Sequence, residues 1–513
     1  MTDQPLHSFS LTLADETATT HLMADLALLI GRGDLITLSG DLGAGKTAAA
    51  RAMIRHLACD EALEVPSPTF TLAQSYDLAS LPVLHADLYR ISDASELDEL
   101  GLMPFPDDVL VLLEWPERAP DALPADRIDI QLSSQSALGP SSRFCVVTGF
   151  GTAAAKVERL EKLRQFLSAA NYLDAERRYM PGDASTRSYA RLVRGGVSEI
   201  LMNFPPRVDR QLIYDGKSYL QAVHLAEEIK PFVAIGQALH ALGFSAPVIH
   251  HTNLDDGFLI SEDLGDAGVI EGDPPRPIVE RYEAATDVLV ALHRQELPAT
   301  LPVAGSSDYT IPAFDVAAML IEVGLLLDWY LPDRGVGVTD AMREEFYALW
   351  QAILAPVLAR PETKPETWVI RDFHSPNLIW RAERQGMARV GIIDFQDAVL
   401  GPAAYDVASL AQDARLDIPE QVEIALLSRY VQGRRARDRE FDASGFAATY
   451  AIMSAQRNTR LLGVFSRLNR RDGKPHYLRH QPRIFTYLSR SLAHPAMAPA
   501  RAWYAAHLPR PLA

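Results

Sequence analysis

Gly40, Gly43, Gly45, Lys46 and Thr47 stand in the run GDLGAGKT, which satisfies the spacing G-x-x-x-x-G-K-[ST]. That spacing serves phosphate binding. Glycines let successive backbone amides turn toward phosphate oxygens, and a helix starting at the lysine adds partial positive charge. Lys46 then reaches the β- and γ-phosphates, and Thr47 offers its hydroxyl to Mg²⁺. Such a site also needs carboxylates for the metal and for water. Asp87 in VLHADLY and Glu114 in VLVLLEW both fall near predicted strand ends. An ordinary loop carboxylate is the alternative for each. VPSPTF at 65–70 adds Ser67 and Thr69 in a proline-flanked loop, suited to a switch toward the γ-phosphate or to a plain turn.

A second constellation lies further along. Asp372 and Asn377 in RDFHSPN have the spacing of a kinase catalytic loop, and Asp394 in GIIDFQD takes the D-F-G position. Phosphoryl transfer divides the labour among them. Asp372 accepts the proton of the attacking hydroxyl, while Asn377 and Asp394 hold Mg²⁺ against the phosphates. Two departures stand out. Ile370 replaces the histidine of H-R-D, and the strand SEILMNFPP at 198–206 carries no lysine. Arg187 and Lys217 are the alternatives for the missing cation, and the sequence does not choose between them. Asp406 in GPAAYDVASL either braces the catalytic loop or caps a helix. His374 inside the catalytic loop either touches substrate or packs. His250, His251 and His293 show no paired histidine motif, and only Cys59 and Cys145 accompany them, so no zinc set is expected.

Elements must position these groups. DLITLSG at 34–40 predicts a strand, and KTAAARAMIRHLA predicts the helix after the glycine loop. QLSSQSALGPSSRF at 131–144 predicts a turn between strands. GTAAAKVERLEKLRQFLSAAN predicts a helix with Val157, Leu160, Leu163 and Phe166 on one face. Charge is uneven along the 513 residues. Residues 1–150 hold 8 basic and 22 acidic side chains, out of 49 and 66 in the whole chain, so the rest is nearly neutral. This predicts two modules, 1–150 and 151–513. An excess of 17 negative charges disfavours direct strong binding of nucleic acid or anionic membrane. No apolar run approaches membrane length, and the first residues lack a basic segment before an apolar core, so a cytoplasmic location is the expectation.

The first module resembles a known family. GDLGAGKT, VPSPTF, HADLYR and LLEWPER follow the order of the TsaE-type ATPases, which serve synthesis of threonylcarbamoyladenosine in bacterial tRNA. Over about residues 10–150 the resemblance implies an α/β P-loop domain that binds ATP and Mg²⁺ and docks on TsaD–TsaB-like proteins. It assigns Lys46 and Thr47 to phosphate and Mg²⁺, Thr69 to the switch, and Asp87 and Glu114 to the metal and hydrolysis site. Trp115 helps shape that pocket.

The second module resembles the aminoglycoside-phosphotransferase-like kinases, an α+β two-lobed fold related to protein kinases. GDASTRSY, RDFHSPNLIW, IIDFQDAVLGPAAYD, QRNTRLLGVFSRL and DGKPHYL follow the order of AmgK-type kinases over about residues 165–495. Those enzymes phosphorylate the anomeric hydroxyl of N-acetylmuramate and N-acetylglucosamine, and they too read LMxxPP where other kinases carry the lysine. The resemblance implies an N-lobe over about 165–265 and a C-lobe over about 266–495. Asp183, Ser185 and Thr186 then line the ATP-phosphate loop, Asp372 is the base, and Asn377 and Asp394 are metal ligands. The alternatives are another small alcohol or aminoglycoside as substrate, or a regulatory pseudokinase half.

Overall fold

The computed structural model describes residues 7–91, 96–99, 102–181, 187–207, 211, 214–359 and 367–508. Its contacts divide the chain into two compact units, residues 1–205 with 250–263, and residues 206–249 with 264–513.

The first unit opens with β1 (His7–Leu13), α1 (Glu16–Ala27), β2 (Leu35–Ser39) and α2 (Lys46–Ala58). β3 (Ala73–Tyr76), β4 (Val83–Asp87), β5 (Leu110–Glu114), β6 (Arg127–Ser134) and β7 (Arg143–Phe150) complete a seven-stranded sheet. Its order is β1-β7-β6-β2-β5-β4-β3. β2 pairs in parallel with β5 and β6, and β4 pairs in parallel with β5. Every residue of β5, LVLLE, is buried, as expected for a central parallel strand covered on both faces. β7 instead alternates buried and partly exposed residues, the period of a strand with one covered face. QLSS continues β6 and Arg143 already belongs to β7, so the turn read across 131–144 is confined to the residues between these strands.

The same unit continues into α3 (Ala154–Ala169), then β8 (Glu176–Met180), β9 (Ser188–Arg194), β10 (Val197–Asn203), β11 (Ile249–Asn253) and β12 (Phe258–Glu262). These strands form a second sheet in the order β11-β12-β10-β9-β8. The apolar stripe of α3 serves both sheets. Val157 and Leu160 belong to the core under the first sheet. Leu163, Phe166 and Leu167 belong to a core with Ala190, Leu192, Leu201 and Phe258 of the second. Leu28, at the end of α1, is part of that second core as well.

The second unit is mainly helical. It contains α4 (Lys230–Ala241), α5 (Val279–Leu292), α6 (Val316–Leu325), α7 (Asp340–Ala359), α8 (Ala404–Ala411), α9 (Glu420–Arg435), α10 (Ala443–Asp472), α11 (Gln481–Leu492) and α12 (Ala498–His507). Four short strands, β13 (Thr367–Val369), β14 (Leu378–Trp380), β15 (Val390–Ile392) and β16 (Val399–Gly401), pair as β13–β16 and β14–β15. α10 has 30 residues, so at about 1.5 Å per residue it is the long axis on which α6, α8 and α11 pack. Its contact with α6 is close. A Cβ on Gly463 would lie 2.3 Å from the carbonyl carbon of Leu325. Among the described residues no helix is long and apolar enough to cross a membrane.

Candidate functional sites

The glycine loop is shaped by its neighbours as much as by its own sequence. Gly40 has φ 134°, and a Cβ there would sit 2.1 Å from the Leu132 carbonyl oxygen of β6. No other residue fits. Gly43 and Gly45 also have positive φ, and Gly45 is the residue at which α2 begins. Arg143, at the start of β7, donates from Nε to the Ala44 carbonyl at 2.8 Å and holds the loop from outside.

Lys46 is buried. Its Nζ donates to the carbonyls of Gly40 (2.6 Å) and Asp41 (2.9 Å) and lies 3.5 Å from the centre of the Trp115 ring. Burial pulls its ammonium below the ordinary lysine value, against the opposing charges of Glu114, Glu117, Asp87 and Asp41. Trp115 has φ 60°, a left-handed conformation that a tryptophan rarely adopts.

The parallel register of β4 and β5 sets Asp87 directly opposite Glu114, and both carboxylates are 2 % exposed. Thr47 Oγ1 donates to Glu114 Oε2 at 2.9 Å. The other oxygen of Glu114 lies 2.9 Å from His85 Nε2. Asp87 Oδ2 accepts from Ser67 (2.7 Å) and Thr69 (2.9 Å), and its Oδ1 accepts from the Tyr89 amide at 2.9 Å. Thr47 with Glu114, and the Ser67–Thr69 segment with Asp87, therefore form two hydrogen-bonded groups that the β4–β5 register sets side by side. These oxygen donors fit a hard divalent cation bound with phosphate. His85 and Arg143 are the members that the motifs did not reveal. Strand alternation places His85 on the face of Asp87, and that signal was present in the sequence.

The second set of predicted residues converges in the other unit. The catalytic loop runs from β13 to β14. Asp406 of α8 accepts from the amides of Ile370 (2.6 Å) and Arg371 (2.8 Å), just before Asp372. Asp406 thus braces the loop. Asn377 Nδ2 donates to the Asp372 carbonyl at 3.0 Å and reaches Asp394 Oδ2 at 3.4 Å. Gln396 donates to the other oxygen of Asp394 at 3.1 Å. Arg371 on this loop and Asp394 just after β15 both have positive φ, a conformation costly for a non-glycine residue. The Asn377 carboxamide and Asp394 carboxylate again fit a hard cation.

Buried arginines surround Asp372. Arg371 pairs with Glu322 of α6, and both are fully buried. Arg460 of α10 lies 3.0 Å from the same carboxylate, and Gln456 donates to its other oxygen at 2.9 Å. Burial alone would raise the Asp372 carboxyl. His374 and the guanidiniums of Arg460, Arg371 and Arg457 outweigh it and hold Asp372 below the usual carboxylate range. His374 packs rather than stands free. It lies 3.2 Å from Arg415 and 3.9 Å from Asp372, and burial with the Arg415 charge pushes its ring down to about 4. Asp413 accepts from the Ser375 amide at 2.8 Å, a second brace with no motif to announce it.

The remaining predicted residues are placed as follows. Arg187 lies over the Phe204 ring at 5.4 Å, and Lys217 is exposed. His250 and His251 lie in β11. His293 follows α5, with Nδ1 2.9 Å from the Tyr430 hydroxyl. Asp183, Ser185 and Thr186 fall outside the described residues.

Comparison with known proteins separates the same two regions. Residues 13–142 match the family described as threonylcarbamoyl adenosine biosynthesis protein TsaE. Residues 177–442 match the phosphotransferase enzyme family. The N-acetylmuramate/N-acetylglucosamine kinase of Caulobacter vibrioides is 36% identical over 69% of this chain and 97% of its own length. The kinase of the same name from Pseudomonas aeruginosa is 32% identical over 61% and 82%. The tRNA threonylcarbamoyladenosine biosynthesis protein TsaE of Rickettsia felis is 36% identical over 27% of this chain and 78% of that protein. The chain belongs to the phosphotransferase enzyme family and carries a TsaE domain ahead of its kinase domain.

Proposed function

We propose that this protein is bifunctional and uses Mg²⁺-ATP at two separate sites. Its kinase half phosphorylates the anomeric hydroxyl of N-acetylmuramate and N-acetylglucosamine. Its TsaE half is an ATPase that works with TsaD–TsaB-like proteins in forming threonylcarbamoyladenosine on tRNA. The observation that carries the kinase reading is the Asn377 carboxamide, which ties the Asp372 carbonyl to the Asp394 carboxylate. Similarity to two amino-sugar kinases supports the substrate.

Each residue then has a task. Asp372, held ionised at neutral pH by the surrounding positive charge, accepts the proton of the sugar hydroxyl. Asp406 fixes the backbone from which Asp372 projects. Asn377 and Asp394 hold the metal, which when bound neutralises charge on the transferring phosphoryl group. In the TsaE half, Gly40, Gly43 and Gly45 shape the phosphate cradle and Lys46 supplies charge. Thr47, Asp87 and Glu114 hold the metal, Glu114 orients water, and Thr69 senses the γ-phosphate through Asp87.

The test offers the purified full chain ATP with N-acetylmuramate, N-acetylglucosamine, choline and an aminoglycoside, with products identified by phosphorus NMR. A sugar 1-phosphate from the two amino sugars is expected. Phosphorylation of choline or the aminoglycoside instead would overturn the substrate assignment. Reconstitution of tRNA modification with TsaD–TsaB-like proteins tests the other half. Modification that proceeds equally well without this chain would overturn that assignment.

A further inference from the structure

The β8–β9 hairpin is gripped by the helices of the TsaE domain. Asp25 of α1 is fully buried and pairs with the equally buried Arg177 of β8 at 2.9 Å, and with Arg164 of α3 at 2.5 Å. At the start of β9, Ser188 donates its hydroxyl to the Leu28 carbonyl at 2.7 Å. Asn203 of β10 donates to Ser188 Oγ at 2.8 Å and is itself held by Arg159 of α3. On the outgoing end of β8, the Tyr179 ring meets His56 edge-on at 5.5 Å, and Cys59 lies 3.8 Å from the Tyr179 carbonyl. His56 lies in the last turn of the helix that starts at Lys46. Both strand ends that flank the hairpin turn are therefore tied to α1 and α2.

These contacts are more than a seam. Asp25 and Arg177 are each removed from water, so separating them would leave the buried Arg177 guanidinium without its counter-charge. Leu28 sits in the apolar core of the second sheet. The second sheet lacks a complete core and a complete set of hydrogen-bond partners without α1.

We infer that the TsaE domain is a structural part of the kinase: Asp25 and the Leu28–Ser188 bond are positioning contacts that set the hairpin and, through it, the ATP affinity of the kinase half. The inference rests on the kinase reading above together with the resemblance that assigns the ATP phosphates to Asp183, Ser185 and Thr186 between β8 and β9. Ser188 and Asp25 touch neither sugar nor reacting atoms in that reading. Their loss acts on ATP affinity and leaves sugar turnover alone.

The test uses the full chain with Ser188→Ala, Ser188→Thr and Asp25→Asn. kcat and the KM for ATP and for N-acetylmuramate are measured beside the melting temperature. Ser188→Ala is expected to raise the KM for ATP about three- to tenfold, the worth of one hydrogen bond. Its kcat and sugar KM stay unchanged, and Ser188→Thr, which keeps the hydroxyl, restores the KM. Asp25→Asn raises the KM further; if it fails to fold, the Ser188 pair still decides. An unchanged KM for ATP in Ser188→Ala overturns the inference, as does a parallel loss in every parameter. A wild-type chain that phosphorylates no sugar overturns the kinase reading itself, and that outcome is distinct because the control alone reveals it.

Discussion

The two phosphate-handling regions of this chain obtain their positive charge in opposite ways. In the TsaE domain it comes from one contiguous segment: three glycines, one lysine and the start of one helix, all within Gly40–Thr47. In the kinase domain the charge around Asp372 comes from Arg371 on the loop itself and from Arg457 and Arg460 on α10. The carboxylates are reversed in the same sense. Asp87 and Glu114 are aligned by a strand register, whereas Asp372 and Asp394 are aligned by a carboxamide and by braces from α8. A contiguous cradle tolerates change elsewhere in the fold. A cradle assembled from distant helices depends on the packing that delivers them.

The largest effect expected is on chemistry at the dispersed site. Asp372→Asn should lower sugar turnover by ~10²–10⁴-fold, toward the lower end because an anomeric hydroxyl is more acidic than an ordinary alcohol. ATP binding should survive. Asp394→Asn should lower rate and ATP affinity together if Asp394 holds the metal as proposed. Steady-state kinetics with nucleotide titrations separates the two. A turnover near wild type in Asp372→Asn would remove Asp372 as the base.

Glu322→Gln sharpens the comparison by testing packing. It leaves Arg371 and Arg460 buried without their shared carboxylate, at a cost of about 3–5 kcal/mol. The second unit, residues 206–249 with 264–513, should unfold at lower urea, while nucleotide binding at the glycine loop persists. Simultaneous loss of both would show that the two regions unfold as one.

Lys46→Ala is the reciprocal experiment. Nucleotide binding at the first site should be lost, and sugar turnover at saturating ATP should remain near wild type. Loss of both activities would break the distinction between the regions.

How much of this was legible follows from the same contrast. Glycine spacing and strand–loop–helix context pointed to the first cradle, and the strand readings around Asp87 and Glu114 placed each acid near a strand end, whereas the pairing of those two strands came only with the fold. The D-x-x-x-x-N spacing and the later acid pointed to Asp372, Asn377 and Asp394. Arg457, Arg460, Glu322 and Asp413 were not legible as parts of the site. Their positions depend on how α6, α8 and α10 cross, and no local pattern encodes that. The double allegiance of α3 was half legible: its apolar stripe was plain, but a stripe does not name the two cores it fills.

The smallest effect is on pH. His56, His374 and His480 are each pushed down to about 4, by burial foremost. Between the ordinary histidine value near 6.5 and about 4, the unfolded chain binds protons that the folded chain refuses, so stability falls as pH drops through that window. Above it, these three rings contribute no further change. Melting temperature against pH should show this decline, and His374→Asn should make it shallower, since His56 and His480 remain. A flat wild-type curve from 6.5 to 4 would contradict the buried neutral rings.

If one chain holds two separate nucleotide cradles, calorimetric titration with an ATP analogue that resists hydrolysis, in the presence of Mg²⁺, detects both. Two binding events per chain are expected in the wild type. One remains in Lys46→Ala, and the other remains, with its partner weakened, in Asp394→Asn. A single event in the wild type, or the loss of both in either variant, would contradict two separate cradles.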